Sequence, residues 1–215
     1  MSRQKLIGNE PAVVAARYDQ LAPHMEELER RMWMPPDFRG RAIATMKLPR
    51  GGRVCVVGCG AGPELPHLVE ALGGDGVIDG IDLSPALIVR AEQRRQAEGW
   101  TNVRLQVADA GKFVAAEPYD GVLFAFSLIA MSPYHEDVLR HMWGYVAPGG
   151  CMTVMDSRMP WFLRWARPLA QRYVNRTYLG DMRIRPKECL SAFGPVQDYS
   201  EKWDAFFAHT VFKNA

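Results

Sequence analysis

Three glycines at alternate positions, Gly58, Gly60 and Gly62, follow the apolar run Val54-Cys55-Val56-Val57. A run without polar alternation reads as a central parallel strand covered on both faces. Glycines directly after it let the backbone bend tightly and let a ligand approach the amide groups. Asp82 stands twenty residues beyond Gly62, and Asp109 follows the apolar-rich stretch Asn102 to Val107. A carboxylate at the first position can accept both hydroxyls of a ribose, and one at the second can accept a hydrogen bond from an adenine amino group. The chemistry these residues offer is recognition of a nucleoside-bearing ligand. Each also has a plainer reading: a tight turn, a carboxylate that helps cap the helix opened by Ser84-Pro85, and a solvated loop side chain.

The spacing excludes two ligand classes. A dinucleotide fingerprint, G-x-G-x-x-G, needs a glycine where Pro63 stands, or where Leu65 stands if counted from Gly60. No Gly-Lys-Ser/Thr follows, so the turn is not a phosphate-binding P-loop. The four cysteines, Cys55, Cys59, Cys151 and Cys189, form no C-x-x-C pair and no Cys/His cluster at zinc spacing, which predicts reduced thiols and no metal site.

The elements that position these residues repeat a strand-helix rhythm. Glu64 to Leu72 reads as a helix after the glycine turn, Val77 to Leu83 as a second strand, and Ser84-Pro85 as the cap of a helix running to Glu98. Asn102 to Val107 and Tyr119 to Phe126 are the third and fourth strands. Ser132-Pro133 opens the next helix, Pro148-Gly149-Gly150 stops it, and Cys151 to Met155 forms a fifth strand ending at Asp156. The alternation predicts an α/β domain with a parallel sheet and helices on both faces. Right-handed crossovers place all of these strand ends on one edge. Before the sheet, Glu10 to Met34 is helical, broken at Pro23, and Phe38 to Met46 is a further helix. After it, Trp161 to Tyr178 is a helix that Pro168 kinks or splits. Val196 to Trp203 and Phe206 to Phe212 form an antiparallel hairpin.

At 215 residues one domain is expected, and 48% hydrophobic with 23% charged residues is ordinary for a folded chain. The net charge of +2 calls for no nucleic-acid partner. From Ser157 to Lys187, however, eight basic residues face a single acid, Asp181. The start, MSRQKLIGNEP, lacks the apolar core of a signal peptide, and no apolar run reaches spanning length, so a cytoplasmic location is expected.

The motifs VCVVGCGAG, GIDLSP, VADA, YDGVLFAF and VAPGGCMTVMD, in this order and at these intervals, resemble those of the class I S-adenosylmethionine-dependent methyltransferases. The resemblance covers roughly Tyr18 to Asp156. It implies a Rossmann-like, seven-stranded, mostly parallel sheet whose last strand is antiparallel, with N-terminal helices and a helical insertion as a lid. On that basis the chain divides into a helical lid (1–50), a cofactor-binding core (51–157), a helical cap (158–190) and a closing hairpin (191–215). S-adenosyl-L-methionine would lie against Gly58, Cys59, Gly60 and Gly62, its ribose on Asp82 and Leu83, its adenine by Asp109 and Ala110, and its amino group near Ala125 and Phe126. RYDQLAP is similar to the Tyr-Asp stretch of the ubiquinone/menaquinone and phosphatidylethanolamine methyltransferases, which would lay Tyr18 over the cofactor.

Two departures limit the carry-over. Ala130 and Met131 stand where many relatives carry histidine, and AFSLIA replaces the Asn/Asp-Pro-Pro-Tyr stretch of enzymes that methylate nucleic-acid bases. The expected acceptor is therefore a small molecule, aromatic or amphiphilic, rather than DNA or RNA. Methyl transfer is an in-line displacement that needs a base only if the acceptor must lose a proton. Among His24, His135, His141, Tyr18, Asp156 and Tyr178, His135 ranks first as that base, and Asp156 lies near the mouth. Arg158 to Lys187 is expected to form the acceptor cap, with Trp161, Phe162, Trp165 and Tyr178 as walls. Two other readings of this segment stay open: an interfacial helix resting on anionic lipid, and an ordinary packed helix with a solvated basic face. A lipid methyltransferase and a non-catalytic cofactor-binding protein remain the alternatives for the whole chain.

Overall fold

The computed structural model describes residues 10–215; the stretch MSRQKLIGN, read above for targeting signals, lies outside them. Seven strands form one sheet: β1 (Arg53–Val57), β2 (Val77–Asp82), β3 (Val103–Val107), β4 (Tyr119–Ala125), β5 (Val146–Ser157), β6 (Val196–Glu201) and β7 (Phe206–Phe212). Their order is β3-β2-β1-β4-β5-β7-β6. β1 pairs in parallel with both β2 and β4, and β7 runs antiparallel to β5 and β6. Strand order reverses between β1 and β4, the place where open α/β sheets bind ligands.

β1 lies at the centre because its side chains suit both faces. Val54 and Val56 point into one core layer with Leu65, Leu68 and Leu72, and Cys55 and Val57 into the other with Phe124, Val138 and Met142. The first layer is covered by α3 (Phe38–Ala44) and α4 (Leu65–Leu72), the second by α6 (His135–Trp143) and α8 (Pro186–Ser191). Between β2 and β3 runs α5 (Pro85–Ala97), capped by Ser84, whose hydroxyl accepts from the Leu87 amide at 3.1 Å. A cap of this type is worth about 1 kcal/mol.

The N-terminal segment is α1 (Pro11–Leu21), a 3-10 turn at Ala22–His24 and α2 (Met25–Arg31), with the break where Pro23 removes a helical amide. Pro168 likewise divides the tail helix. Trp161–Ala166 is a 3-10 turn, and α7 (Arg167–Tyr178) begins with the proline in its first turn, where no amide is missed.

Three sequence expectations shift. The helix expected from Ser132 starts at His135, because Leu128–Met131 forms a separate 3-10 turn first. Pro148-Gly149-Gly150 lies within β5 instead of ending a helix: Tyr119 pairs with Val146 and Gly121 with Cys151, so a short step on β4 faces a longer, bulged step on β5. Pro186–Ser191, too short to show a helical period, is α8.

Candidate cofactor and acceptor site

The parallel register brings the ends of β1, β2, β3 and β4 to one edge, where a cleft of about 1010 Å³, open to solvent, runs beneath α1 and α2. Ten of the eleven residues expected to bind the cofactor line it: Tyr18, Gly58, Cys59, Gly60, Asp82, Leu83, Asp109, Ala110, Ala125 and Phe126. Gly62 does not. A side chain there would meet Leu65 Cδ1 at 2.5 Å, so its place is in the turn into α4.

The glycine turn is held from β2. The amides of Gly58 and Cys59 both donate to the Ile81 carbonyl, at 2.8 and 3.0 Å, and the Gly60 amide donates to Asp82 Oδ2 at 2.9 Å. Asp82 Oδ1 accepts from the Ser84 amide at 2.9 Å. One carboxylate thus ties the two loops together, and each oxygen keeps lone pairs for a hydroxyl. Burial pushes its pKa up, against the backbone amides that pull it down. Gly60 has φ +54°, and a Cβ on it would meet nothing within 4 Å, so the turn leaves a cradle on the cleft side. Gly58, at φ +70°, has no such space: a Cβ would stand 2.5 Å from Ser127 Cβ.

Phe126 adopts φ +53°, a conformation that a bulky side chain rarely takes outside strained functional turns. Its amide donates to the Met155 carbonyl at 2.8 Å, and the Arg39 guanidinium lies 5.3 Å from its ring centre. Asp109 Oδ1 accepts from the Gly111 amide at 2.9 Å, which fixes its own loop while it lines the cleft.

Several participants were not read from the sequence. Arg39 meets Glu64 at 2.7 Å and Glu29 at 3.3 Å, and all three line the cleft. Burial raises the Glu29 pKa, with Arg39 opposing. An arginine and two carboxylates at one end of a largely apolar cleft offer both charges that an amino-acid zwitterion needs. Asp19, next to Tyr18, accepts from the Ser84 hydroxyl at 2.5 Å and from the Ala86 amide at 3.1 Å, so α1 is anchored on the N-terminus of α5. In this arrangement Tyr18 donates to the Tyr178 carbonyl at 3.3 Å. Burial first, then the charges of Asp82 and Asp156, push the Tyr18 pKa up, so the phenol keeps its proton and acts as a donor.

The residues ranked for catalysis separate. His135 does not line the cleft; Tyr134 and Val138, four apart on one helical face, do. Because α6 begins at His135, this side chain turns into another hollow, with Asp181, Arg183 and Cys189. Burial lowers its pKa, and its Nδ1 has no partner among the described residues. Glu136 and Cys189 join it so that one ligand atom from each lies within 4.8 Å of the others. A sequence cannot show that residues 135 and 189 meet. Arg140, Arg183 and Arg185 line the same hollow and oppose a cation there, and no metal is assigned.

Asp156, at the end of β5, is 2% exposed. Its Oδ1 accepts from the Ser157 amide at 2.7 Å, and its Oδ2 is buried without a partner among the described residues. Burial pushes its pKa up to about 7. Trp161 and Trp165, expected to wall the acceptor pocket, are instead 72% and 77% exposed and line no part of the cleft. The 3-10 turn that carries them lies on the outside of the domain. Phe162 and Tyr178 line no part of the cleft either, and Tyr178 reaches α1 only through its carbonyl, which accepts from Tyr18.

Residues 54–150 match the family described as a methyltransferase domain. The chain is 24% identical over 176 residues to a demethylmenaquinone methyltransferase of Geobacillus kaustophilus, covering 77% of this chain and 73% of that protein. It is 30% identical over 137 residues to an aklanonic acid methyltransferase of a Streptomyces species, covering 60% of each. The fold matches the crystal structure of a SAM-dependent methyltransferase from Aquifex aeolicus with a TM-score of 0.64 and 16% identity, covering 89% of this chain and 97% of that one. With the glycine turn, Asp82 and Asp109 on one cleft at the reversal of strand order, these likenesses show a methyltransferase domain of the S-adenosylmethionine-dependent type at residues 54–150.

Proposed function

We propose that this chain transfers a methyl group from S-adenosylmethionine to an O, N or C nucleophile of a small aromatic or amphiphilic acceptor, with residues 1–50 as lid and 158–190 as cap. The observation that carries the reading is the cleft itself, in which Gly60, Asp82, Asp109 and Phe126 meet beneath Tyr18. The residues fit the cofactor: the cradle at Gly60 is open, Asp82 has lone pairs for ribose hydroxyls, and Arg39 with Glu29 and Glu64 suits the methionine zwitterion. Held by Gly60, Asp82 and Asp109, the cofactor would supply an electrophilic methyl group, the carbon–sulfur electron pair staying on sulfur as the acceptor's lone pair makes the new bond.

The chain's own contribution is alignment and proton handling. Asp82 and Asp109 fix the adenosyl end. Tyr18, tied to the Tyr178 carbonyl, closes the lid over the cleft and excludes water. Asp156 does not line the cleft, but its charge acts on the Tyr18 phenol, which does, and in that way it bears on the proton that an acceptor hydroxyl or ammonium loses. The names of the relatives support a small acceptor: a demethylated menaquinone for one, aklanonic acid for the other. Peripheral contact with an anionic membrane fits an amphiphilic acceptor and the basic cap. The test is incubation with S-adenosylmethionine and a panel of phenols, quinols, amines and carboxylic acids, read by mass spectrometry. A product heavier by one CH2 that depends on Asp82 supports the reading. Cofactor binding without turnover on any acceptor class argues for a binding protein instead.

A further inference from the structure

The start of the cap exposes a run of large apolar side chains. No residue of α7 or of the 3-10 turn before it is fully buried. Trp161, Trp165 and Leu169 are 72%, 77% and 70% exposed, and Phe162, Leu163 and Tyr173 are exposed beside them. The patch is continuous at one end: Trp161 meets Phe162 edge-on at 5.7 Å, and Phe162 meets exposed Trp203 in the same way at 5.7 Å. Monomeric domains rarely leave so many large apolar side chains together in water.

Charge says what covers them. Between Trp161 and Tyr178 there are four arginines and no acid. Elsewhere on the cap three cations are neutralised, Arg158 by Asp204, Arg183 by Asp181 and Lys187 by Asp198. Arg164, Arg172 and Arg176 make no ion pair among the described residues. Tryptophan and leucine interleaved with unpaired arginine is the composition of a helix lying in a lipid interface, where indoles sit at headgroup level and guanidiniums meet phosphate. Among the described residues no helix is long and apolar enough to cross a membrane, so the contact is with the surface.

We propose that the face formed by Trp161, Trp165, Leu169 and Tyr173, with Arg164, Arg172 and Arg176, docks on an anionic lipid bilayer and turns the mouth of the cleft toward it. The cap is coupled to that mouth. Tyr178 at the end of α7 accepts from Tyr18, and the Asp181 amide donates to the Ile129 carbonyl at 2.9 Å, beside Ala130 and Met131 of the cleft. The role rests on the proposed amphiphilic acceptor, which would pass from bilayer to cleft without crossing water.

The test is sedimentation of the full chain with vesicles of phosphatidylcholine alone and of phosphatidylcholine with phosphatidylglycerol, with tryptophan emission read in parallel. Binding to the anionic vesicles is expected to exceed that to the neutral ones at least about tenfold and to weaken as salt rises, with a blue shift of emission. The triple variants W161A/W165A/L169A and R164E/R172E/R176E are expected to lose it while S-adenosylmethionine affinity, measured by calorimetry, stays unchanged and reports an intact fold. Equal binding by either triple variant, or no binding to anionic vesicles at low salt, overturns the proposal. So does a dimer in sedimentation equilibrium that W161A/W165A/L169A abolishes, which would assign the face to a second copy. Docking without methylation of any amphiphile overturns the acceptor reading instead, so the two failures are distinguishable.

Discussion

The donor half of the cleft and the cap differ in how their residues are held. Around the glycine turn each polar group has a partner in another element: Gly60 on Asp82, Asp82 on Ser84, Ser84 on Asp19, and Phe126 on Met155. α7 and its 3-10 turn bury no residue completely, and α7 is tied mainly through Gln171 to Gly180 and Met182. The first region is organised before ligand arrives. The second exposes what the first conceals, which is the division expected when one cofactor must be held rigidly and acceptor access depends on a peripheral element.

Replacement of Asp156, buried at the end of β5 and outside the lining of the cleft, should have the largest effect. An acid whose native pKa is raised from 3.8 to about 7 holds its proton in the native state after the unfolded chain has lost it. Stability therefore falls as pH rises from about 4 to 7, and above 7 the full cost of roughly 4 kcal/mol is present. Asp156→Asn should melt several degrees higher than the parent at pH 8 and show no gain at pH 4, by calorimetric scan. For an acceptor that must be deprotonated, the parent's rate should rise with pH through about 7. The variant should lose that inflection together with about 100-fold or more of kcat. Unchanged pH dependence would return Asp156 to a structural role.

Gly58→Ala tests the rigid half. Its Cβ would press on Ser127 Cβ at a φ of +70°, and a loss of about 1–3 kcal/mol in urea unfolding is expected, together with weaker cofactor binding. Asp19→Ala should cost less, about 1 kcal/mol, since it removes acceptors from Ser84 and Ala86. It should also raise KM for the cofactor as α1, which carries Tyr18 over the cleft, loosens from α5. At the other extreme, Trp165→Ala should leave thermal stability within about 0.5 kcal/mol, because the indole is 77% exposed. A large loss there would mean that the cap is integral to the core.

The same contrast explains what could be read from sequence. Gly58, Gly60, Asp82 and Asp109 each sit at the end of a strand, and parallel topology alone carries strand ends to one edge, so local pattern was enough to assemble them. Arg39, Glu29 and Glu64 come from three helices, and nothing in their spacing shows that they meet. Asp19 was visible only as part of a tyrosine-aspartate stretch; its grip on α5 is a contact across 65 residues. His135 ranks first by sequence because it follows the fourth strand closely, and that nearness along the chain does not say which way its side chain turns. A shift of three residues in the start of α6 changes which side chain faces the cleft, and Tyr134 takes that position. Trp161 and Trp165 are expected as walls because their segment follows the strand end at the active edge, but a short 3-10 turn outside the sheet has no core to place them in.

The central claim is that the loop joined through Asp82 is a preformed adenosyl site. Isothermal titration with S-adenosylmethionine, on the parent and on Asp82→Ala, tests it most directly. The account predicts one site per chain and, with charge-assisted hydrogen bonds worth about 1.5–3 kcal/mol each, an affinity loss of about 10- to 100-fold or more in the variant. No heat of binding in the parent, or equal affinity in the two proteins, would contradict it.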